Sequence, residues 1–145
     1  MHYLIITIIT AIIATLAMTA FSYLYSNLVH HNFKEPQLLN LSISKITFLD
    51  LKKQNYLGWL LHLFTGVLFL FFLQLVWENF IDPNWVNTGF LGIGLGIIGA
   101  IIWKITFYFH PNPPKINLSH YIIHLILAHI VFTYTAWLIL KYIIA

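Results

Sequence analysis

The sequence predicts an all-α integral membrane protein, folded as a four-helix bundle. Three observations predict it: 60% of the 145 residues are hydrophobic, only 8% are charged, and the apolar residues collect in four long runs. Soluble domains carry about 25% charged residues, so this chain has too few charges to cover a water-facing surface. A helix needs roughly 20 apolar residues to cross the hydrocarbon core. The runs that meet this length are residues 3–25, 56–80, 89–109 and 118–144.

The four runs occupy most of the chain, so we expect residues 1–145 to form a single transmembrane domain. Asp82, Pro83 and Asn84 separate the second run from the third, and prolines 111, 113 and 114 end the third. No lysine or arginine precedes the first run, which is also too long for the apolar part of a signal peptide. We therefore expect the first span to remain in the mature protein.

The connection formed by residues 26–55 is the only long one, and apolar residues alternate in it with lysines and serines. Two interpretations are open. It is an amphipathic helix on the cytoplasmic leaflet, with Lys45, Lys52 and Lys53 towards anionic headgroups, or it is a loop that caps the bundle.

The lysines predict the orientation, because cytoplasmic connections carry an excess of positive charge. Five lysines lie in the first and third connections, which share one side of the membrane, and only Lys141 lies near the other side. Both termini are therefore expected outside the cytoplasm. The net charge of +3 is scattered and includes no arginine, which excludes nucleic acid as a partner. The absence of cysteine excludes disulfides and thiolate metal sites.

Small residues recur every four positions in two of the spans, which lets helices approach closely. In the third span they are Gly92, Gly96 and Ala100, and in the first span Thr7, Ala11, Thr15 and Thr19. We expect these two stripes to pack against each other or against a second copy of the chain. The letters of Gly94–Gly99 also spell a dinucleotide motif, but they lie inside a span rather than after a strand.

A layer of polar side chains is predicted on the cytoplasmic side of the bundle. Helical rise places one polar residue of each span roughly 7–9 Å below the boundary. These four residues are Thr19, His62, Lys104 and His124. Asp50 and Glu35 fall in the first connection, so no carboxylate is expected at this depth. Because ionisable groups inside a membrane are costly, such a layer is by default a candidate functional site.

Three interpretations of this layer are open. It is a ligand pocket for a lipid headgroup, a similar anion or a quinone-like head, formed by Thr19, His62, Lys104 and His124. Alternatively, histidines hold haem b or a divalent metal; the candidate ligands are His62, His120, His124 and His129. In the third interpretation the histidines only form hydrogen bonds between helices. No combination of residues matches a conventional catalytic site, so catalytic residues are not expected.

Short motifs in all four spans resemble those of a family of small uncharacterised four-helix bacterial membrane proteins, the YagU-like proteins. The first span contains Met18-Thr19, and an amphipathic stretch follows from Pro36. Gly58-Trp59 precedes His62, Gly99 precedes Trp103, and the last span contains His129. Ala128 stands where the family pattern has a glycine. The family has no established activity, but the resemblance implies importance for His62 and His129 and a location in the bacterial inner membrane.

Together these observations predict a non-catalytic binding or accessory subunit in the lipid bilayer. Its small size and its packing faces predict a homo-oligomer or a subunit of a larger membrane complex. A haem- or metal-binding redox component is the alternative.

Overall fold

A computed structural model describes residues 2–47 and 56–144, and within these ranges it contains five helices. They are α1 (His2–Val29), α2 (Glu35–Thr47), α3 (Tyr56–Asn79), α4 (Trp85–Phe109) and α5 (Leu118–Ile144). Four of them, all except α2, are long and apolar enough to cross a membrane. The predicted all-α fold and multi-pass class are therefore confirmed. The predicted headgroup contacts of Lys52 and Lys53, and the side chain of Lys45, lie outside the described residues.

A side-chain cap fixes the start of α4, and a residue in the left-handed conformation ends α1. The side chain of Asn84 caps α4 by accepting a hydrogen bond from the backbone N–H of Asn87 at 2.9 Å. This cap starts α4 at Trp85, ahead of the predicted start at residue 89. After α1, His30 adopts a positive φ of 54°, the left-handed conformation that commonly ends helices. The chain then turns back towards the bundle, because the hydroxyl of Ser26 accepts from the backbone N–H of Phe33 at 3.1 Å.

The bundle is organised around α5, which packs along both α1 and α4. On the other side of α1, α3 packs against α1 and α2. By contrast, α3 and α4 make almost no contact, although they follow each other in the chain. The two helices are therefore held in the bundle by α1, α2 and α5 rather than by each other.

The glycine stripe of α4 packs against α5, and not against the small-residue stripe of α1. A Cβ on Gly96 would lie 2.5 Å from the Cα of Ile126, and one on Gly92 would lie 2.8 Å from the Cα of Ile130. The expectation that the two stripes touch each other is wrong. Small residues allow close approach to any helix, so their pattern did not identify the partner.

The stripe of α1 is buried within the same bundle, where it faces α3. Thr15 fills the space above Gly66, since a Cβ there would lie 1.9 Å from the Thr15 hydroxyl. Thr7 and Gln74 form a buried pair of hydrogen bonds of 3.1 and 3.2 Å. Ala11 at 0% exposure belongs to the central core. The buried face of α1 is thus small and polar, while its bulky aliphatic residues point outwards.

The first connection contains a helix that docks on the bundle. In α2, Asn40 accepts the backbone N–H of Gly58 at 2.8 Å. A Cβ on Gly58 would lie 2.0 Å from the carbonyl oxygen of Pro36, so the start of α3 and α2 are in direct backbone contact. Leu38 and Ser42 are buried against this end of the bundle, here called the α2 end. Of the two open interpretations, the amphipathic helix is present, but its inner face covers the bundle.

Candidate functional site

A cavity of about 130 Å³ lies beneath α2, between α3 and α4. All five helices contribute to its lining, which is mostly apolar with a few polar groups. The helices α3 and α4 form its two sides, and α2 closes it at one end. We call it the α3–α4 cavity. Its lining residues are Met18, Glu35, Leu39, His62, Thr65, Gly66, Phe69, Gly99, Ile102, Trp103, Thr106, Leu125 and His129.

Glu35 is the acidic residue of this cavity. The sequence predicts no carboxylate at the depth of the polar layer, with Glu35 in the first connection, but the Glu35 side chain is only 3% exposed. The Ser22 hydroxyl of α1 donates to its Oε1 at 2.8 Å, and its Oε2 has no hydrogen-bond partner among the described residues. A carboxyl group therefore does lie at the level of the polar layer.

The spacing of residues in α2 is the sequence signal for this burial. Glu35, Leu38 and Ser42 are spaced so that they share one face of α2, and all three are buried. Glu35 thus occupies an inward position at the first turn of an amphipathic helix. The sequence prediction placed it in the first connection by its position in the chain, outside the polar layer.

Burial raises the pKa of Glu35 to about 8 from its ordinary value of 4.5. The dominant cause is loss of hydration, which disfavours the charged carboxylate. Hydrogen bonds from the backbone of Glu35 itself and from the Ser22 hydroxyl act in the opposite direction, but they are weaker than the desolvation. Near neutral pH the group is therefore mostly protonated.

His62 of α3 is hydrogen-bonded to Thr19 of α1, with 3.0 Å between Nε2 and the hydroxyl oxygen. The Thr19 hydroxyl also donates to the carbonyl oxygen of Thr15 at 2.7 Å. Because a hydroxyl has one proton, the two bonds together require His62 to donate through Nε2. Its Nδ1 is then left as a hydrogen-bond acceptor. The structure thus brings together two of the four residues predicted for the pocket.

His129 of α5 has the complementary arrangement. Its Nδ1 lies 2.7 Å from the carbonyl oxygen of Leu125, which can only accept, so Nδ1 carries the proton. Its Nε2 is left as an acceptor. The ring lies 5.6 Å from the ring of Phe69, and a Cβ on Gly99 would lie 3.0 Å from it. His62 and His129 both line the α3–α4 cavity, and each has one ring nitrogen that can accept a hydrogen bond.

His124 lies behind Glu35 rather than in the cavity lining. It is fully buried, with the rings of Tyr25, Phe33 and Tyr121 within 6 Å of its own ring. Its Nε2 lies 3.7 Å from Oε1 of Glu35, beyond hydrogen-bond distance. Neither ring nitrogen has a hydrogen-bond partner among the described residues.

His120 and Lys104 take other positions. The Nε2 of His120 is hydrogen-bonded to the Tyr25 hydroxyl at 2.6 Å, so His120 does not share a ligand with His124, one turn away. Lys104 is exposed on α4 and is not part of the cavity lining. The structure therefore does not bring Lys104 to Thr19 and His62.

Among the described residues, no group of three or more histidine, aspartate or glutamate side chains is placed to hold a metal ion. A second, wider depression of about 750 Å³ lies at the opposite end of the bundle. It is lined by Trp77, Trp85 and Trp137, and its one acidic residue, Glu78, is exposed and accepts from the Tyr3 hydroxyl at 2.6 Å. The buried carboxyl group with an unpartnered oxygen distinguishes the α3–α4 cavity as the candidate site.

A comparison of this chain with protein families, with characterised proteins and with solved structures finds no match. The structure itself, with four helices long and apolar enough to cross a membrane, defines the chain as a multi-pass helical membrane protein.

Proposed function

We propose that this protein is a non-catalytic membrane protein that binds a small amphipathic molecule in the α3–α4 cavity. The observation that carries the proposal is the Glu35 carboxyl group, which is buried on the lining of a cavity with one oxygen unpartnered. Burying a polar group without a partner costs free energy, so an unpartnered carboxyl oxygen on a cavity lining is typical of a ligand-binding site. The lack of contact between α3 and α4 supports a route from the lipid.

The composition of the lining supports an amphipathic ligand. Apolar side chains such as Met18, Phe69 and Trp103 alternate with the polar groups of Glu35 and the histidines. Ligand cavities are generally of this kind, mostly apolar with a few polar groups that fix orientation. A volume of about 130 Å³ is enough for a head group. The remainder of the ligand would extend between α3 and α4 into the bilayer.

A haem or a divalent metal is the second candidate function. His62 and His129 each retain one acceptor nitrogen, and an axial ligand needs one. This candidate ranks below the first, because a haem macrocycle is too large for a cavity of about 130 Å³ and because, among the described residues, no three histidine, aspartate or glutamate side chains are placed to hold a metal ion. A Soret band in the absorption spectrum of the purified protein, shifting on reduction, would reverse this ranking.

The α2 end is proposed to face the cytoplasm of a bacterium, with both termini outside. The lysines in the connections at that end support this orientation. Because the chain contains no cysteine, single cysteines can report on it cleanly. In intact cells a membrane-impermeant maleimide should label Asp82→Cys but not Asn112→Cys. The opposite labelling pattern would reverse the proposed topology.

A matched pair of variants tests the binding site. Ile102 and Ile105 are both exposed residues of α4, but only Ile102 lines the cavity. Ile102→Trp should obstruct the cavity, and Ile105→Trp should leave it open. We expect native mass spectrometry to find a co-purified small molecule on the wild type and on Ile105→Trp, and to find it lost from Ile102→Trp. Equal occupancy of the two variants, or no bound molecule on the wild type, would contradict the proposal.

A further inference from the structure

We propose that the molecule bound in the α3–α4 cavity is an amphiphilic amine, whose ammonium head pairs with the carboxyl group of Glu35. This inference rests on the proposed function and deepens it by naming the chemical class of the ligand. Three features of the cavity carry it: the free oxygen of Glu35, the balance of charge, and the nature of the surrounding groups.

The first feature is the geometry of Glu35. Oε1 accepts from Ser22, while Oε2 has no partner among the described residues, although the side chain is 3% exposed and lines the cavity. A carboxylate only accepts hydrogen bonds, whereas an ammonium group only donates them and has three protons to give. An ammonium head would therefore supply the missing partner of Oε2.

The second feature is the charge of the lining, which includes one carboxyl group and no lysine. The lysine nearest in sequence, Lys34, lies over the ring of Tyr23, with its Nζ 4.9 Å from the ring centre. Lys104 is exposed on α4. With Glu35 ionised, the cavity would carry an uncompensated negative charge, which a cation complements and an anion does not.

The third feature is the set of groups around Glu35. His62 and His129 retain the acceptor nitrogens Nδ1 and Nε2, which suit the remaining ammonium protons. Phe69 and Trp103 also line the cavity, and aromatic faces attract cations. Acceptors and aromatic rings without a competing cation together form a typical environment for an organic amine.

His124 does not fulfil the role of this cation. Its Nε2 is 3.7 Å from Oε1 of Glu35, beyond hydrogen-bond distance, and among the described residues neither its ring nitrogens nor Oε2 of Glu35 have a hydrogen-bond partner. Its ring is enclosed by the aromatic side chains of Tyr25, Phe33 and Tyr121. The free Oε2 is therefore left for a group that enters the cavity.

Binding should depend on pH, because an ammonium head pairs only with the ionised carboxylate. The titratable groups around Glu35 are Tyr23 on α1, His62 on α3, and Tyr121, His124 and His129 on α5. The polar and aromatic residues that α4 contributes to the lining are Trp103 and Thr106, which have no titratable side chain. Since the pKa of Glu35 is about 8, affinity should rise about tenfold per pH unit below pH 8 and level off above it.

Three probes with the same tail and different heads test the inference on the full chain in phosphatidylcholine nanodiscs. Octylammonium, octanol and octanoate are titrated by calorimetry at pH 8, where an alkylammonium with a pKa near 10.4 remains charged. We expect octylammonium to bind the wild type at least tenfold more tightly than octanol, with octanoate weakest. Equal or tighter binding of octanol or octanoate, or no binding of octylammonium, would overturn the inference.

Glu35→Gln keeps the size of the side chain and removes its charge, and should weaken octylammonium binding at least tenfold. Glu78→Gln is the control, because Glu78 is exposed at the opposite end of the bundle. Retained affinity in Glu35→Gln would overturn the inference. If Glu35→Gln does not fold, the three-probe series on the wild type decides alone.

The two proposals can fail separately. Suppose that octanol and octylammonium bind equally tightly to the wild type and to Ile105→Trp, and that neither binds Ile102→Trp. The cavity would then be confirmed as the binding site, and the preference for a charged head would be overturned. Probes that bind Ile102→Trp as they bind the wild type would contradict the cavity itself.

Discussion

The side-chain oxygen of Asn40 lies 2.8 Å from the backbone nitrogen of Gly58, and this hydrogen bond joins α2 to the first turn of α3. The N–H groups at the start of a helix have no partner within it, so the bond satisfies a group that would otherwise need water. It also fixes the position of Glu35, which begins the same short helix. The contact between α2 and α3 thus holds the acidic group over the α3–α4 cavity.

Replacing Gly58 with alanine should separate α2 from α3. The new Cβ would lie 2.0 Å from the carbonyl oxygen of Pro36, a backbone atom that cannot rotate away. We expect a loss of about 1–3 kcal/mol, as is usual for overpacking, measured by thermal unfolding in detergent with tryptophan fluorescence. Gly94→Ala is the control, since a Cβ there meets nothing within 4 Å. Equal stability of the two variants would show that the contact is unimportant.

The contribution of Glu35 to the stability of the ligand-free protein should fall as the pH rises from about 5 to 8. The pKa of Glu35 is about 8 when folded and 4.5 as the ordinary value. The folded state therefore favours the protonated form of Glu35. The contribution of Glu35 to the free energy of unfolding is complete below pH 4.5, falls as the pH rises, and is lost as the pH passes through 8. Each pKa unit corresponds to about 1.4 kcal/mol, so the loss approaches about 5 kcal/mol at full ionisation.

The same scan on Glu35→Gln isolates this effect, because the amide does not titrate. Between about pH 6.5, the ordinary pKa of histidine, and pH 8, the melting temperature of Glu35→Gln should fall less than that of the wild type. The same pH dependence in both proteins would be inconsistent with the buried position of Glu35.

Lys104→Met should leave ligand binding in the α3–α4 cavity unchanged within twofold. The side chain of Lys104 is exposed on α4 and lies outside the lining. Octylammonium titration of this variant alongside the wild type checks the expectation. Weaker binding of an anionic probe in Lys104→Met would instead support the pocket of Thr19, His62, Lys104 and His124 predicted from the sequence.

The hydrogen bond between Thr19 and His62 should contribute a small coupling energy. Buried side-chain hydrogen bonds between membrane helices average about 0.6 kcal/mol, and we expect this value from a double-mutant cycle of Thr19→Val and His62→Leu. The reference cycle pairs His62→Leu with Thr106→Val, since the Thr106 hydroxyl donates to the carbonyl oxygen of Ile102 in its own helix at 2.8 Å. If both cycles give the same coupling, the contact between Thr19 and His62 contributes nothing specific.

Glycine at position 30 should stabilise the turn after α1. His30 has a φ of 54°, in the region that glycine adopts without steric strain and other residues adopt at a cost. We expect His30→Gly to gain about 1–2 kcal/mol over His30→Ala. Both variants are compared by thermal unfolding. An alanine variant as stable as the glycine variant would rule out strain at this position.

The four spans could be predicted from the sequence because hydropathy is a local property. Twenty apolar residues must lie in the hydrocarbon wherever their neighbours are. The partner of the Gly92 and Gly96 stripe could not be predicted in the same way. A flat helix face accepts any helix, and the short connections leave several arrangements possible. Only the packed bundle identifies α5 as the partner.

For a related reason, part of the site could be predicted from the sequence and part of it could not. His62 and Thr19 were expected at one depth, since helical rise fixes depth along a span. Glu35 was missed because the depth of a residue in a connection depends on whether that connection folds back. This in turn depends on Phe33, Leu38 and Asn40, which are buried against several helices at once. Such tertiary burial leaves only a weak pattern in the sequence.

The order of residues around Glu35 also bears on how the protein is made. Glu35 follows the first span, but Tyr121 and His124, which help to cover it, belong to the last. The contact between α2 and α3 can form before α5 is made, because both helices precede α5 in the chain. Glu35, however, is fully enclosed only in the complete bundle, so the site is assembled by the last span.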